Sequence, residues 1–243
     1  MRIKESTAVV TGGQRGLGAA FVQELLSRGA AKVYATSRTP QSSKNSRVVP
    51  LQLDVTDALS VSSLAATARD ANIVVNNAGV IDGKSLLHSD LEEIRAVFET
   101  NYFGALRVAR AFAPVMARNS PGALVDIHSV LSWAPGTAAY GDSKAALWSA
   151  TNSLRIALRE QNILVVGVHL SYTDTDMVRH VKAPKNDPND VAKKVVEAVE
   201  EDQTEVLVDK FTEAVKATLS EPVEAMEDLM QRARTARNES ERP

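Results

Sequence analysis

The chain has 243 residues, of which 44% are hydrophobic and 24% charged, and its formal net charge at pH 7 is -2. This composition is typical of a soluble globular protein and excludes the strongly basic surface of a nucleic-acid-binding domain. It contains no cysteine, which excludes disulfides, thiolate metal sites and cysteine nucleophiles. Four scattered histidines lack metal-ligand spacing, and no apolar run is long enough to span a membrane. We therefore expect a cytoplasmic protein with no metal, no nucleic-acid partner and no membrane partner.

Short apolar, β-branched runs alternate with longer helical patterns along the chain. Strands are predicted at 7–11, 32–37, 48–53, 73–75, 123–128, 163–170 and 205–208. Helices are predicted at 16–28, 59–71, 91–118, 140–159 and 187–201. This alternation predicts an α/β fold, a single-domain Rossmann-type doubly wound parallel sheet of about seven strands with helices on both faces. We expect that domain to cover residues 1–220, and residues 221–243 to form a charged, solvated helix or tail.

A glycine-rich segment lies between the first predicted strand and the first predicted helix. Residues 11–18 read Thr-Gly-Gly-Gln-Arg-Gly-Leu-Gly. Glycines let the backbone approach a pyrophosphate, and the helix amino terminus offers free N–H groups and a positive dipole. The spacing Gly-x-x-x-Gly-x-Gly differs from the commonest dinucleotide fingerprint, and a ligand-free glycine turn is the alternative. The strand–turn–helix context favours a dinucleotide-binding loop.

Tyr140 and Lys144 lie one turn apart on one face of a predicted helix. An ammonium beside a phenol favours its ionised form, which helps a tyrosine exchange protons at neutral pH. Ser129, at the end of a predicted strand, could hold a carbonyl oxygen in front of that phenol. Taken alone, Tyr-x-x-x-Lys is more often an ordinary helix pair. Its context changes that interpretation.

Together with Asn76-Asn77-Ala78-Gly79 after the fourth predicted strand, these motifs resemble the short-chain dehydrogenase/reductase family over roughly residues 5–178. The resemblance implies a homodimer or homotetramer that transfers hydride between a nicotinamide and a small-molecule carbonyl or alcohol. It also implies cofactor contacts from Gly12, Gln14, Arg15, Gly16, Leu17, Gly18, Ser37, Arg38, Asp54, Val55, Asn77, Ala78, Gly79, Tyr140, Lys144 and Thr175.

The same resemblance implies four catalytic residues. Tyr140 would be the general acid in reduction and the base in oxidation, and Ser129 would bind the substrate oxygen. Lys144 would hold the nicotinamide ribose and lower the pKa of Tyr140. Asn101 would interrupt its helix and hold a water of the proton relay.

The cofactor preference follows from charge. An acidic residue after the second strand would favour NAD, and that place holds Ser37 followed by Arg38, with Arg15 nearby in the glycine loop. Two guanidiniums without a facing carboxylate suit a 2′-phosphate, so we expect NADP(H). NAD(H) remains the alternative, with Arg38 stacked on the adenine.

The substrate side departs from the family pattern. Leu170-Ser171 stands where the family usually carries Pro-Gly, which puts the backbone beside Thr175 in question. The substrate loop is expected at about 172–188, and its part from 177 could form a mobile lid. We expect the pocket walls to include Leu131, Trp133, Tyr172 and Met177, with plain packing or a dimer contact as the alternative for the last three.

These observations predict an NADP(H)-dependent oxidoreductase that reversibly reduces a ketone or aldehyde to an alcohol, of the carbonyl reductase type. The alternatives are an NAD-dependent alcohol dehydrogenase of the same family, an epimerase or dehydratase of the wider superfamily, and a non-catalytic NADP(H)-sensing protein. The last would be expected to lack Ser129, Tyr140 or Lys144, and all three are present.

Overall fold

The computed structural model describes residues 1–81, 85–135 and 138–240. Its strands are β1 (Thr7–Val10), β2 (Lys32–Ser37), β3 (Val48–Gln52), β4 (Ile73–Asn76), β5 (Gly122–Ile127), β6 (Ile163–His169) and β7 (Glu205–Leu207). Its α-helices are α1 (Gly16–Ser27), α2 (Ala58–Thr67), α3 (Leu91–Phe98), α4 (Ala105–Arg118), α5 (Ala138–Ala157), α6 (Pro188–Glu200), α7 (Lys210–Ala217) and α8 (Val223–Ser240).

In the described residues, the strands form one parallel sheet in the order β3-β2-β1-β4-β5-β6-β7. Successive side chains of a strand point to opposite faces, so each strand contributes to two cores. Ala8 and Val10 of β1 belong to the core under α1 and α6, while Val9 belongs to the core under α2 and α4. The strands are apolar on both faces because helices cover both. The predicted doubly wound fold is confirmed.

Successive strands are added toward one edge of the sheet from β1 to β3 and toward the other edge from β4 to β7, so the strand order reverses between β1 and β4. Crossovers leave β1 toward one edge and β4 toward the other, which opens a crevice at the carboxyl ends of these strands. Thr11 N donates to Val75 O at 3.0 Å just past the end of β1, so the two loops begin side by side.

The segment predicted as one helix at 91–118 is interrupted. α3 ends at Phe98, a π-helical turn covers Glu99–Gly104, and α4 continues from Ala105. A π-helical turn inserts one residue per turn and rotates the side chains that follow, a change that hydrophobic periodicity hardly registers. Asn101 lies inside this turn and is buried.

The carboxyl-terminal segment forms α8, a largely exposed helix that packs on the domain through a few apolar side chains. α8 contributes buried Met226 to a small apolar cluster with Val130, Ala134 and Val215. Leu229 and Met230, also on α8, pack against that cluster. Since Val130 directly follows Ser129, α8 rests on the loop that leaves β5.

Candidate active site

Thr11 braces the two loops at the crevice. Its Oγ1 accepts from Asn77 N and from Ala78 N, both at 2.9 Å, while Asn77 Nδ2 donates to Thr11 O at 2.9 Å. The buried hydroxyl thus fixes the glycine loop against the Asn77–Gly79 segment. The sequence places a polar residue here but does not reveal this bracing role, because the partner backbone is 66 residues away.

The glycine loop has the geometry of a phosphate cradle. Gly12 and Gly16 have φ angles of 65° and 51°, in the left-handed region that favours glycine. A Cβ on Gly18 would lie 2.1 Å from Gly12 O, so no side chain fits there. Arg15 precedes α1 without a side-chain cap, which leaves the first N–H groups of the helix for a ligand. The bare backbone and the helix amino terminus fit a pyrophosphate.

The far end of the same cleft contains the residues expected around an adenosine. Gln14 holds the loop after β2, since its Oε1 accepts from Ser37 Oγ and from Gln41 N, each at 2.9 Å. Arg15 and Arg38 are both exposed and both line the cleft. This end therefore carries positive charge.

Asp54 lines the cleft near these arginines, and its carboxylate is engaged locally. It accepts from Thr56 N at 2.9 Å and from Thr56 Oγ1 at 2.7 Å. These hydrogen bonds, and then the charge of Arg38, hold the pKa of Asp54 below its usual value. Arg38 thus has a carboxylate within electrostatic range, which the sequence reading did not anticipate.

The predicted catalytic residues meet at the middle of the cleft. Ser129 follows β5 and Tyr140 and Lys144 lie in the first turns of α5, where the Tyr140 and Ser129 side chains are hydrogen-bonded. Lys144 Nζ donates to Ile127 O at 2.7 Å and lies 5.8 Å from the centre of the Tyr140 ring. The phenol, the hydroxyl and the ammonium therefore form one contiguous group.

Asn101 joins this group from the π-helical turn. Its Nδ2 donates to Val80 O at 2.9 Å and to Ser143 Oγ at 3.0 Å, and its Oδ1 accepts from Val80 N at 2.8 Å. A Cβ on Gly79 would lie 3.3 Å from Asn101 Oδ1 and 3.7 Å from Lys144 Nζ. Bare Gly79 therefore borders both side chains.

Burial sets the protonation of the central pair. It raises the pKa of Tyr140 to about 12, against the opposing effect of the hydrogen bond with Ser129. It lowers the pKa of Lys144 to about 8, against the opposing charge of Asp126. The net shift of the Tyr140 pKa is upward because burial dominates, and the expectation that Lys144 lowers this pKa stays a prediction. The largest cause of the rise is that the phenolate would leave water, and the ammonium of Lys144 is turned toward Ile127 O.

Asp126 is a buried residue that the sequence reading missed. Its carboxyl group accepts from Asn76 Nδ2 at 2.9 Å and from Thr151 Oγ1 at 2.7 Å. Burial raises the pKa of Asp126, and these two hydrogen bonds oppose that rise. An acidic residue inside an otherwise apolar strand is the signal that could have drawn attention to it.

The segment after β6 shows what Leu170-Ser171 does in place of Pro-Gly. Ser171 donates to Asp209 Oδ2 through both its N–H and its hydroxyl, each at 2.9 Å. Asn186 Nδ2 donates to the same oxygen at 2.9 Å, and Asn186 N donates to Tyr172 O at 2.8 Å. The substrate loop is thus folded on itself and tied to the start of α7. A proline–glycine pair would keep the N–H at position 171 but would lack the hydroxyl that donates to Asp209.

Thr175 and three of the predicted pocket residues lie along the cleft. A Cβ on Gly16 would lie 3.1 Å from Thr175 Cγ2, so Thr175 abuts the glycine loop. Leu131, Tyr172 and Met177 line the cleft.

Trp133 packs against neighbouring aromatic rings, which favours the packing alternative over a place in the pocket wall. Its ring stacks on His169 with centroids 3.8 Å apart and meets Trp148 edge-on at 5.7 Å. It follows the short 3₁₀ turn Val130–Ser132 and is absent from the described residues that line the cleft. His169 Nδ1 lies 3.4 Å from Ser129 O, so this aromatic stack supports the backbone at Ser129.

Two further findings concern what the described part of the chain lacks. It contains no helix that is both long and apolar enough to cross a membrane. Within the same residues, no group of three or more His, Cys, Asp or Glu side chains could hold a metal ion.

The sequence model of a family described as "short chain dehydrogenase" matches residues 6–186. The chain belongs to the short-chain dehydrogenase family. A short-chain dehydrogenase from Burkholderia cenocepacia, solved in complex with NADP, superposes with a TM-score of 0.88 at 35% identity, covering 94% of this chain and 98% of that one.

Two similar proteins are likewise a dehydrogenase and a reductase by name. A 1-deoxy-11-beta-hydroxypentalenate dehydrogenase of Streptomyces avermitilis is 35% identical over 76% of this chain and 75% of its own. A 3-oxoacyl-[acyl-carrier-protein] reductase of Salmonella typhimurium is 31% identical over 74% of this chain and 78% of its own. This short-chain dehydrogenase is therefore an oxidoreductase of a family that uses nicotinamide cofactors.

Proposed function

We propose that this short-chain dehydrogenase is an NADP(H)-dependent carbonyl reductase that reversibly converts a ketone or aldehyde to an alcohol. The observation that carries the proposal is the contiguous group of Ser129, Tyr140 and Lys144 in the middle of a cleft whose other half is a phosphate cradle. A proton donor beside a dinucleotide site is what hydride transfer to a carbonyl needs.

The cofactor would lie along the glycine loop, with its pyrophosphate at the start of α1 and its adenosine between Arg38 and Asp54. When bound, it supplies the hydride. Ser129 and Tyr140 hold the substrate oxygen, and Tyr140 gives up its proton as negative charge develops there. An alkoxide is a far stronger base than a phenolate, so a neutral phenol is the useful resting form. Lys144 and Asn101, on either side of Gly79, are proposed to resupply the proton through a bridging water.

Tyr140→Phe tests the reaction. The substitution removes the proton donor and leaves the cleft otherwise unchanged, so turnover of a panel of ketones should fall about 10²–10⁴-fold. NADPH affinity, measured by fluorescence titration, should stay within about twofold, because the phenol carries no charge that the cofactor needs. Tyr172→Phe is the matched control, since it removes a tyrosine hydroxyl from the same cleft. Near-normal turnover in Tyr140→Phe would show that this proton donor is misassigned.

Preference for NADP(H) over NAD(H) is supported by Arg15 and Arg38 at the adenosine end and by the NADP complex of the Burkholderia cenocepacia relative. Arg38→Asp should weaken NADPH binding at least about tenfold and leave NADH binding unchanged or tighter, because a carboxylate repels the 2′-phosphate. Arg110→Asp, an exposed site on α4, makes the same change in net charge. Equal affinity for both cofactors, unaffected by Arg38, would instead favour an NAD-dependent alcohol dehydrogenase.

We also propose that the protein is a homodimer or homotetramer. A groove between the π-helical turn and α5 is lined by small or apolar residues: Tyr102, Leu106, Ala146, Ser149, Ala150, Ser153, Leu154 and Ala157. Beside it Phe103 and Ile156 are 45% and 73% exposed. Small side chains let a second helix pair approach closely, and the exposed apolar side chains gain by leaving water.

A further inference from the structure

The cleft extends beyond the catalytic group into a region that the dinucleotide site does not use. The whole cleft has a volume of about 1970 Å³, whereas a pocket for one drug-sized ligand takes about 300–1,000 Å³. On the side away from the glycine loop it is lined by Leu131, Met177, Phe211 and, from α8, by Met230 and Ala233. The carboxyl-terminal helix therefore forms part of the cleft wall.

This wall is apolar and firmly supported. Leu131, Phe211 and Met230 all pack against the cluster that contains Val130 and Met226. Their partly exposed sides face the cleft, since each also lines it. Because the cluster begins at Val130, one residue after Ser129, the apolar wall starts directly beside the catalytic hydroxyl.

Two charged residues at this end of the cleft, Asp209 and Lys185, are already engaged by the protein. Asp209 accepts from Ser171, Asn186 and the Thr212 N–H and hydroxyl. Lys185 lies 3.3 Å from Asp174. A substrate that reached this wall would find these two residues occupied and its apolar surface accommodated by Leu131, Phe211 and Met230.

We propose that α8 is part of the substrate site and that the substrate is a ketone or secondary alcohol whose carbinol carbon carries a hydrocarbon body, seated between Leu131, Phe211 and Met230. The proposal rests on the proposed function, since it assumes that the substrate oxygen lies at Ser129 and Tyr140. It assigns the hydrocarbon to the apolar wall because burial of each methylene there is favourable, and it excludes small, polyhydroxylated substrates such as free sugars.

The test measures binding without turnover. Alkan-2-ols from butan-2-ol to decan-2-ol are titrated calorimetrically into the protein saturated with its reduced cofactor, a complex in which an alcohol cannot react. In the wild-type protein the Kd should fall about fourfold for each added methylene until the wall is covered. A Kd that does not depend on chain length would overturn the proposal.

Met230→Gln keeps the side-chain length and makes the wall polar. It should weaken octan-2-ol binding at least about fivefold while butan-2-ol changes less than about twofold, because the outer methylenes lose their apolar contact. Val223→Gln, which introduces the same side chain at a 69% exposed position of the same helix, should match the wild type. Equal losses for both alcohols, or none, would refute the assignment of Met230.

Turnover of the corresponding ketones separates the two proposals. Chain-length-dependent binding without reduction of any ketone would leave the apolar site standing and refute the carbonyl reductase. Reduction of ketones with no dependence of binding on chain length would support the carbonyl reductase and refute the apolar site.

Discussion

At the residue scale, burial is the largest cause of the pKa shifts of Tyr140 and Lys144, the proposed catalytic pair. Tyr140 and Lys144 leave water together, and their pKa values move to about 12 and about 8, each toward the neutral form. The resting enzyme at neutral pH therefore holds a neutral phenol beside an ammonium. That state suits proton donation in reduction, and oxidation would need the phenolate, which becomes populated only at higher pH.

The pH dependence of reduction follows from Lys144. Its folded-state pKa of about 8 lies below the ordinary 10.5, so the ammonium is present below pH 8 and is lost as the pH rises through 8. We expect kcat/KM for carbonyl reduction to be highest below pH 8 and to fall above it, measured at saturating cofactor. A profile that stays flat beyond pH 9 would show that the charge of Lys144 is not needed.

Asp126→Asn tests whether Lys144 causes the fall in kcat/KM, because it should shift the pH profile. The negative field of Asp126 supports the charge on Lys144, so its removal should lower the pKa of Lys144 and move the fall in kcat/KM to lower pH. In asparagine, Oδ1 can still accept from Asn76 Nδ2, and Nδ2 can donate to Thr151 Oγ1, which also bonds Leu147 O. Asp190→Asn, an exposed site on α6 with the same change in net charge, should leave the profile in place.

At the element scale, helix caps tie the substrate side to the sheet. Asp209 is the N-cap of α7, and its second oxygen holds Ser171 and Asn186 of the substrate loop. Five donated hydrogen bonds keep the pKa of its carboxyl below the usual value, despite burial. One side chain therefore starts a helix and shapes the cleft.

Asp209→Ala should affect substrate binding as well as stability, whereas loss of an ordinary helix cap affects stability alone. It is expected to lower the free energy of unfolding by about 1–2 kcal/mol and to raise KM for substrate, because the loop at 171–186 loses its anchor. Asp187→Ala is the matched control: it removes the N-cap of α6, which accepts from Asn189 N, and leaves the Asp209 contacts in place. Chemical denaturation and steady-state kinetics measure both. An unchanged KM in Asp209→Ala would limit the role of Asp209 to stability.

At the scale of the whole molecule, the proposed assembly depends on the apolar groove along α5. Ile156→Asp places a charge at its edge and should convert the oligomer to monomers, because burying an unpaired carboxylate costs several kcal/mol. Sedimentation velocity at micromolar concentration measures the change. Leu59→Asp is the control, since Leu59 of α2 is 77% exposed, close to the 73% of Ile156. A monomeric wild-type protein, or an Ile156→Asp variant of unchanged mass, would refute the proposed interface.

Much of this molecule follows from local sequence. Alternating β-branched and helical patterns predict the parallel sheet, because helices that cover both faces require strands that are apolar on both faces. The glycine spacing, Ser129, Tyr140 and Lys144 predict the catalytic cleft, because a parallel sheet brings the carboxyl ends of its strands to one edge. These inferences need only short-range pattern and one rule of topology.

Tertiary structure alone decided the rest, because it depends on which distant residues meet. The direction of the Tyr140 pKa depends on how much water the folded chain removes, which no neighbour in sequence reports. The docking of α8 depends on a few apolar residues among many charged ones finding Val130 across the fold. The stacking of Trp133 on His169 joins the segment after β5 to the end of β6, 36 positions apart in the chain. Burial and contact are properties of the packed molecule, and so the shape and chemistry of the substrate end of the cleft emerge only there.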